Sequence, residues 1–139
     1  MSRLLQINNL AIDFSSEYDT IRAVDGISLH LNRGETLGIV GESGSGKSVT
    51  ALSVMRLLPD KGRATSGEIF FHQPTTNNQQ PINLLTLPQS KLSSFRGAEI
   101  AMIFQEPMTS LNPVFRCGHQ VTEVIQLHQK VSYEEAKAQ

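Results

Sequence analysis

Gly41-Glu42-Ser43-Gly44-Ser45-Gly46-Lys47-Ser48 fits the pattern G-x-x-x-x-G-K-[ST] at every fixed position. Glycines at these points let the backbone curl until successive amides face inward, which suits the α- and β-phosphates of a nucleotide. Lys47 brings a point charge to the β- and γ-phosphate oxygens. Ser48 offers a hydroxyl to Mg²⁺, and a helix starting here would aim its positive end at the same anion. The fifteen residues around the motif supply the context it needs. Residues 36–40, Thr-Leu-Gly-Ile-Val, form a short apolar run of the kind buried on both faces of a parallel sheet. Residues 48–58 place Val49, Leu52, Met55 and Leu58 three apart, predicting a helix that Pro59 ends.

Other elements must frame that loop. Residues 4–14 and 21–31 read as two strands joined by a polar turn, an antiparallel pair ahead of the first core strand. Residues 67–71 predict another strand, and 100–104, Ile-Ala-Met-Ile-Phe, a second apolar core strand. Residues 73–80, rich in Thr, Asn and Gln, predict an exposed loop. Short helices are expected over 88–95 and 118–129. Ser132-Tyr133-Glu134-Glu135 fits a capping box opening one more helix. That helix has only about two turns before Gln139, so the chain is expected to continue beyond it.

Composition narrows the classes. The 139 residues are 39% hydrophobic and 18% charged, an ordinary globular balance, and the net charge of -1 argues against a nucleic-acid binder. Apolar runs reach about five residues, against the roughly 20 of a membrane helix. Met1-Ser2-Arg3-Leu4-Leu5 soon meets Asn8, Asn9 and Asp13, so no signal-peptide core is present. The single Cys117 excludes an internal disulfide framework and fits a reducing compartment. Cys117 and His119 are too sparse for structural zinc, and His30, His72 and His128 show no ligand spacing relative to it.

Two blocks carry a family resemblance. Ala23-Val24-Asp25-Gly26-Ile27-Ser28-Leu29 and Gly34-Glu35-Thr36-Leu37-Gly38-Ile39-Val40, leading into the glycine loop, resemble the start of an ABC transporter ATPase. Residues 101–113, Ala-Met-Ile-Phe-Gln-Glu-Pro-Met-Thr-Ser-Leu-Asn-Pro, resemble its Q-loop region in the dipeptide, oligopeptide and glutathione importer branch. The resemblance implies an α/β P-loop fold of ABC ATPase type: an antiparallel β segment over 1–34, a P-loop core over 35–105, and the start of a helical subdomain over 106–139. It implies ATP and Mg²⁺ as cofactors, with Lys47 and Gln105 in catalysis and Ser48 and Gln105 as metal ligands. Residues 41–48 would hold the phosphates together with the amide of Val49, which stands where many relatives carry Thr. An aromatic ring ahead of the second strand would stack on adenine. Tyr18 and Phe14 are both placed for this; counting back from Asp25-Gly26 favours Tyr18, and Phe14 suits ordinary strand packing.

The same resemblance implies transmembrane permease subunits, a second ATPase subunit arranged head to tail, and indirect dependence on a periplasmic or extracellular solute-binding protein. Nucleic acid is not expected as a partner. The implied location is the cytoplasmic face of a bacterial inner membrane, held peripherally. Glu106 follows an apolar run as a catalytic base would, but position 105 is Gln and not Asp, so Glu106 is not assigned that role. After Gln105 the sequence has no Leu-Ser-Gly-Gly signature, no Asp-Glu after an apolar run and no switch histidine. The chain is therefore expected to bind nucleotide without turning it over alone. Two alternatives stand beside an importer ATPase: a truncated binding module, and a soluble ABC ATPase outside transport.

Overall fold

Alternating apolar residues at Leu10, Ile12 and Phe14 ask for a strand with one face covered. The computed structural model describes residues 2–73, 80–105 and 110–139, and builds that strand as β1, Arg3–Ser15. A four-residue turn returns the chain as β2, Thr20–Asn32, antiparallel to β1. β1 pairs on its other edge with β3, Gly62–Phe71, and β3 with the two-residue β4, Ile82–Asn83. The sheet order is β2-β1-β3-β4, antiparallel throughout. The central strand is the most buried, with Leu10, Ala11, Ile12 and Asp13 all inside. Ile7 and Ile69, paired across β1 and β3, extend the same core.

A bulge shapes this sheet. Asn9 takes a positive φ of 45°, which Asn tolerates better than most residues. Both ladders of β1 lose register there, between Ile7 and Leu10 on one side and Asn8 and Ala11 on the other. Gly67 faces the bulge with φ 90°, and a Cβ on it would stand 2.5 Å from the Asn9 carbonyl oxygen. Only glycine fits that approach.

The helix after the glycine loop, α1, runs Lys47–Val54 and stops four residues short of the expected end at Leu58. Arg56, at φ 49°, closes it. Its amide donates to the Ser53 carbonyl and that of Leu57 to Leu52 (3.0 and 2.9 Å), the paired bonds of a Schellman ending. The Arg56 guanidinium then donates to the carbonyls of Leu84 and Leu87, tying the helix end to the chain after β4. The buried side of α1 is polar as well as apolar: Thr50 and Ser53 lie inside with Met55, while Val49 and Leu52 are only half-buried.

The chain divides into two units, residues 1–93 and 94–139. β3 and β4 belong to the sheet begun by β1 and β2, so the antiparallel part extends past the first 34 residues. A further helix, α2, covers Gln89–Phe95 and buries Leu92. The second unit holds α3, Cys117–Gln129, and α4, Tyr133–Ala138. Ser132 caps α4 in the expected box, accepting from the Glu135 amide at 3.3 Å while its own amide donates to the Glu135 carboxylate at 2.9 Å. The buried residues of these two helices are Thr122 and Ala136; of the apolar positions with helical spacing in α3, Ile125 is half-buried while Val121 and Val124 are exposed.

Two expected core strands are corrected. Residues 36–40 and 100–104 form no strand beyond a single bridge from Ile100 to Arg96. Val40 and Ile103 are 95% and 93% exposed. A parallel strand has no hairpin partner of its own and takes every ladder bond from neighbours reached by crossovers. No such neighbours pair with these runs among the described residues. The loop expected over 73–80 falls mostly outside the described residues, since 74–79 are not among them.

Candidate phosphate-binding site

The glycine loop leads straight into α1 without a side-chain cap: Gly46 is the N-cap residue, in left-handed conformation at φ 85°. Gly44 is similar at φ 84°. Two left-handed turns within three residues fold the loop back on itself, and Lys47, the first residue of the helix, closes it. The Lys47 ammonium donates to the carbonyl oxygens of Gly41 (2.7 Å) and Glu42 (2.6 Å) and to Ser45 Oγ (3.1 Å). The Ser45 amide donates to Glu42 at 3.2 Å. The charge is thus held at the centre of a ring of loop oxygens, all exchangeable for the oxygens of an anion.

The helix side fixes Gly46. The Thr50 amide and hydroxyl both donate to the Gly46 carbonyl, at 2.8 and 2.9 Å. The sheet side fixes it too: a Cβ on Gly46 would lie 2.7 Å from the Ala23 carbonyl oxygen and 3.2 Å from Val24 Cγ2. The exit of the loop is therefore packed directly on β2. No acidic residue stands in the first turn of α1 to repel an anion.

The other proposed site residues are placed as follows. Glu42, Ser43 and Ser48 are exposed and Val49 is half-buried. Tyr18 sits in the turn between β1 and β2, 94% exposed. That turn is held by Ser16 and Asp19, whose backbones bond at 2.7 Å. Tyr18 lies five residues before Ala23, so it leads into the strand on which Gly46 packs. Phe14 is paired with Gly62 across the ladder, and its ring would be 2.7 Å from a Cβ there. Its face is taken up by β3. Gln105 is exposed at a bend in the second unit; Glu106 and the next three residues lie outside the described residues.

The fit to a magnesium nucleotide can be tested on these groups. Among the described residues no cluster of three His, Cys, Asp or Glu side chains could hold a metal. A hard cation here would take its oxygens from a hydroxyl, a side-chain amide and the phosphates it accompanies. The donor set suits Mg²⁺ arriving with a nucleotide.

Sequence reasoning missed the seat. Ala23 and Val24 are strand residues, as their pattern predicts, and they are also what the loop rests on. The signal was Gly46 itself, whose need for a bare α-carbon requires some backbone close by. Also unanticipated were the ion pairs of Arg22 with Asp13 and Asp25, each 3.0 Å. The guanidinium beside Asp13 holds its carboxyl below the usual carboxylate range, helped by a bond from Thr65 and opposed by burial.

A family model described as ABC transporter matches residues 24–139. The glutathione import ATP-binding protein GsiA of Salmonella choleraesuis (strain SC-B67) is 51% identical over 137 residues, covering 98% of this chain and 22% of that protein. The oligopeptide transport ATP-binding protein OppD of Bacillus subtilis (strain 168) is 46% identical over 138 residues, 99% of this chain and 36% of that protein. The chain thus spans between about a fifth and about a third of the length of these curated relatives. Among solved structures, the dimeric structure of MJ0796, a bacterial ABC transporter cassette, superposes with a TM-score of 0.76 at 23% identity, covering 97% of this chain and 53% of that one. Its post-hydrolysis state bound to ADP and Pi gives a TM-score of 0.72 at 22% identity. At these identities the likeness is one of fold.

Proposed function

The chain belongs to the ABC transporter family, and from that premise we propose that it binds ATP with Mg²⁺ through residues 41–49 as part of an importer ATPase for peptides or glutathione. The observation that carries this reading is Lys47, held at the mouth of α1 by three loop oxygens whose places phosphate oxygens can take. The relatives named for glutathione and oligopeptide import, each near half identical, support the branch. The left-handed glycines and the packing of Gly46 on Ala23 preform the exit half of the loop, so binding has less backbone entropy to lose there.

When bound, the nucleotide supplies the phosphoanhydride and the metal supplies charge neutralisation. Lys47 binds phosphate oxygens, Ser48 directs a hydroxyl to the cation, and the Val49 amide adds a donor. Tyr18, free on its turn, offers a ring face to adenine. Gln105 would add a neutral oxygen to the cation and sense the transmembrane partner. The proposed plan is a P-loop core and the start of a helical subdomain from 106 alongside an antiparallel β part that, beyond the expected 1–34, takes in β3 and β4. Permease subunits, a second ATPase subunit and, indirectly, a solute-binding protein complete the assembly at the cytoplasmic face of the membrane. No helix among the described residues is long and apolar enough to cross a membrane, so anchoring would come from the permease. The sequence carries no signature loop or Asp-Glu pair, so turnover needs residues this chain does not contain.

Calorimetric titration with Mg-ATP tests the binding reading. Wild-type chain should bind, and Lys47→Ala should weaken affinity by on the order of a hundredfold, as loss of a charge-assisted contact does. Equal affinity in the two would remove the site assignment.

A further inference from the structure

β2 carries an extra residue where the phosphate loop lands on it. Ile12 stands opposite Val24 and Asp13 opposite Arg22, so Ala23 has no partner on β1. Such a bulge bends the strand and re-aims the backbone groups beside it. The Ala23 carbonyl oxygen is the atom a Cβ on Gly46 would meet at 2.7 Å. A second register shift follows between Val24 and Ile27, where Gly26 takes φ 65°.

One guanidinium spans the bulged segment. Arg22 donates from Nε to Asp13 Oδ1 at 3.0 Å and from Nη2 to Asp13 Oδ2 at 3.4 Å. It also donates from Nη1 to Asp25 Oδ1 at 3.0 Å. The inner arm fixes Arg22 to the central strand, where the Asp13 side chain is 12% exposed. The outer arm holds the residue three further along β2, beyond the bulge, with the Asp25 side chain 78% exposed.

We propose that the Asp13–Arg22–Asp25 cluster is a positioning device for the phosphate loop. By holding residues 22–25 in their bulged form it fixes the Ala23 carbonyl, against which Gly46 turns into α1. The amides of Lys47 and Ser48 at the head of that helix are thereby fixed as well. Thr50 grips the other side of Gly46, so the loop exit is held between strand and helix. Arg22 is a positioning residue and touches no nucleotide in this scheme. The inference rests on reading residues 41–48 as a nucleotide site.

The test uses the full 139-residue chain. Arg22→Met keeps the aliphatic stem and removes all the donated bonds. Three quantities are measured: the Kd for Mg-ATP, amide hydrogen exchange at Gly46, Lys47 and Ser48 without nucleotide, and exchange at Ile69 in β3 as a reference. Arg22→Met should weaken Mg-ATP binding about five-fold, whereas an ion pair acting only on its own strand would leave the affinity unchanged. Exchange at the three loop amides should rise while Ile69 stays at its wild-type rate. Arg22→Lys should restore affinity only in part, because a single ammonium does not bridge two carboxylates as a guanidinium fork does. Wild-type affinity, wild-type exchange at the loop, or a rise in exchange equal at Ile69 would each overturn the proposal. Should Arg22→Met fail to fold, Asp25→Asn at its exposed position carries the same measurements. If wild-type chain does not bind Mg-ATP, the nucleotide reading falls, and the exchange pattern alone then decides the positioning role.

Discussion

Alanine at Gly44 and at Gly46 separates backbone conformation from packing in the phosphate loop. The two glycines have nearly the same φ, 84° and 85°. A Cβ at Gly44 would meet nothing within 4 Å, whereas at Gly46 it would stand 2.7 Å from the Ala23 carbonyl oxygen. The left-handed conformation costs an alanine about 1–2 kcal/mol in either place. At Gly46 the obstacle is main-chain oxygen in a paired strand, which has no rotamer to change. Relief requires the loop or β2 to shift, at a further cost of about 1–3 kcal/mol by analogy with overpacked cores. Gly44→Ala should therefore lose about 1–2 kcal/mol and Gly46→Ala about 2–5 kcal/mol. A domain of 60–100 residues moves its thermal midpoint by about 4–8 °C per kcal/mol. Thermal unfolding followed by circular dichroism should place Gly46→Ala at least about 4 °C below Gly44→Ala. Equal midpoints would refute the claim that Gly46 is seated on Ala23. Mg-ATP affinity should follow the same order, because the shift at Gly46 moves the head of α1.

Three other outcomes are expected. Gly67→Ala combines φ 90° with approaches of 2.5 and 2.6 Å to the carbonyls of Asn9 and Asn8; it should cost more than about 3 kcal/mol, seen as loss of soluble folded protein or a collapsed urea midpoint. Asp13 has its folded pKa lowered, chiefly by the Arg22 hydrogen bond, so its contribution is complete above the ordinary aspartate value near ~3.9 and is lost as pH falls through the lowered value. Urea midpoints taken from neutral to acid pH should fall less steeply in Arg22→Met than in wild type, and identical slopes would deny the linkage. Gln105→Ala should leave nucleotide binding nearly intact but uncouple transport in a complete importer, and substrate-stimulated turnover at the wild-type rate would count against a sensing role.

Legibility in the sequence followed the range of the interactions. The hairpin of β1 and β2, the helix α3 and the capping box of Ser132 and Glu135 all came through, because each rests on residues close along the chain. The end of α1 did not. Pro59 marks the stop in the sequence pattern, but Arg56 adopts a left-handed conformation and its guanidinium reaches the carbonyls of Leu84 and Leu87, 28 and 31 residues on. The buried face of α3 is only partly legible: of the helically spaced Val121, Val124 and Ile125 only Ile125 is half-buried, and the structure buries Thr122, whose hydroxyl donates to the Gly118 carbonyl at 2.7 Å. A polar side chain that bonds its own helix can be buried at small cost, and periodicity of apolar residues does not register it. Within the site, the glycine pattern was explicit while its seat on Ala23 was not, since the bulge that exposes that carbonyl depends on the register between two strands.

The two ends of the phosphate loop differ in how they are held, and this bears on what the chain can do. At its exit Gly46 is gripped by Ala23 and Thr50. At its entry Val40, adjoining Gly41, is 95% exposed, and Ile39 51%. The run 36–40 has the composition of a strand buried on both faces, so its exposure leaves apolar surface and unpaired backbone together. Sheet neighbours on either side would cover both and fix Gly41 as firmly as Gly46 is already fixed. The Lys47 bonds to Gly41 and Glu42 bridge the two ends meanwhile. The phosphate binding proposed for this chain would accordingly depend most on the half of the loop that β2 and α1 support, and the entry half would gain rigidity when the run before it is paired.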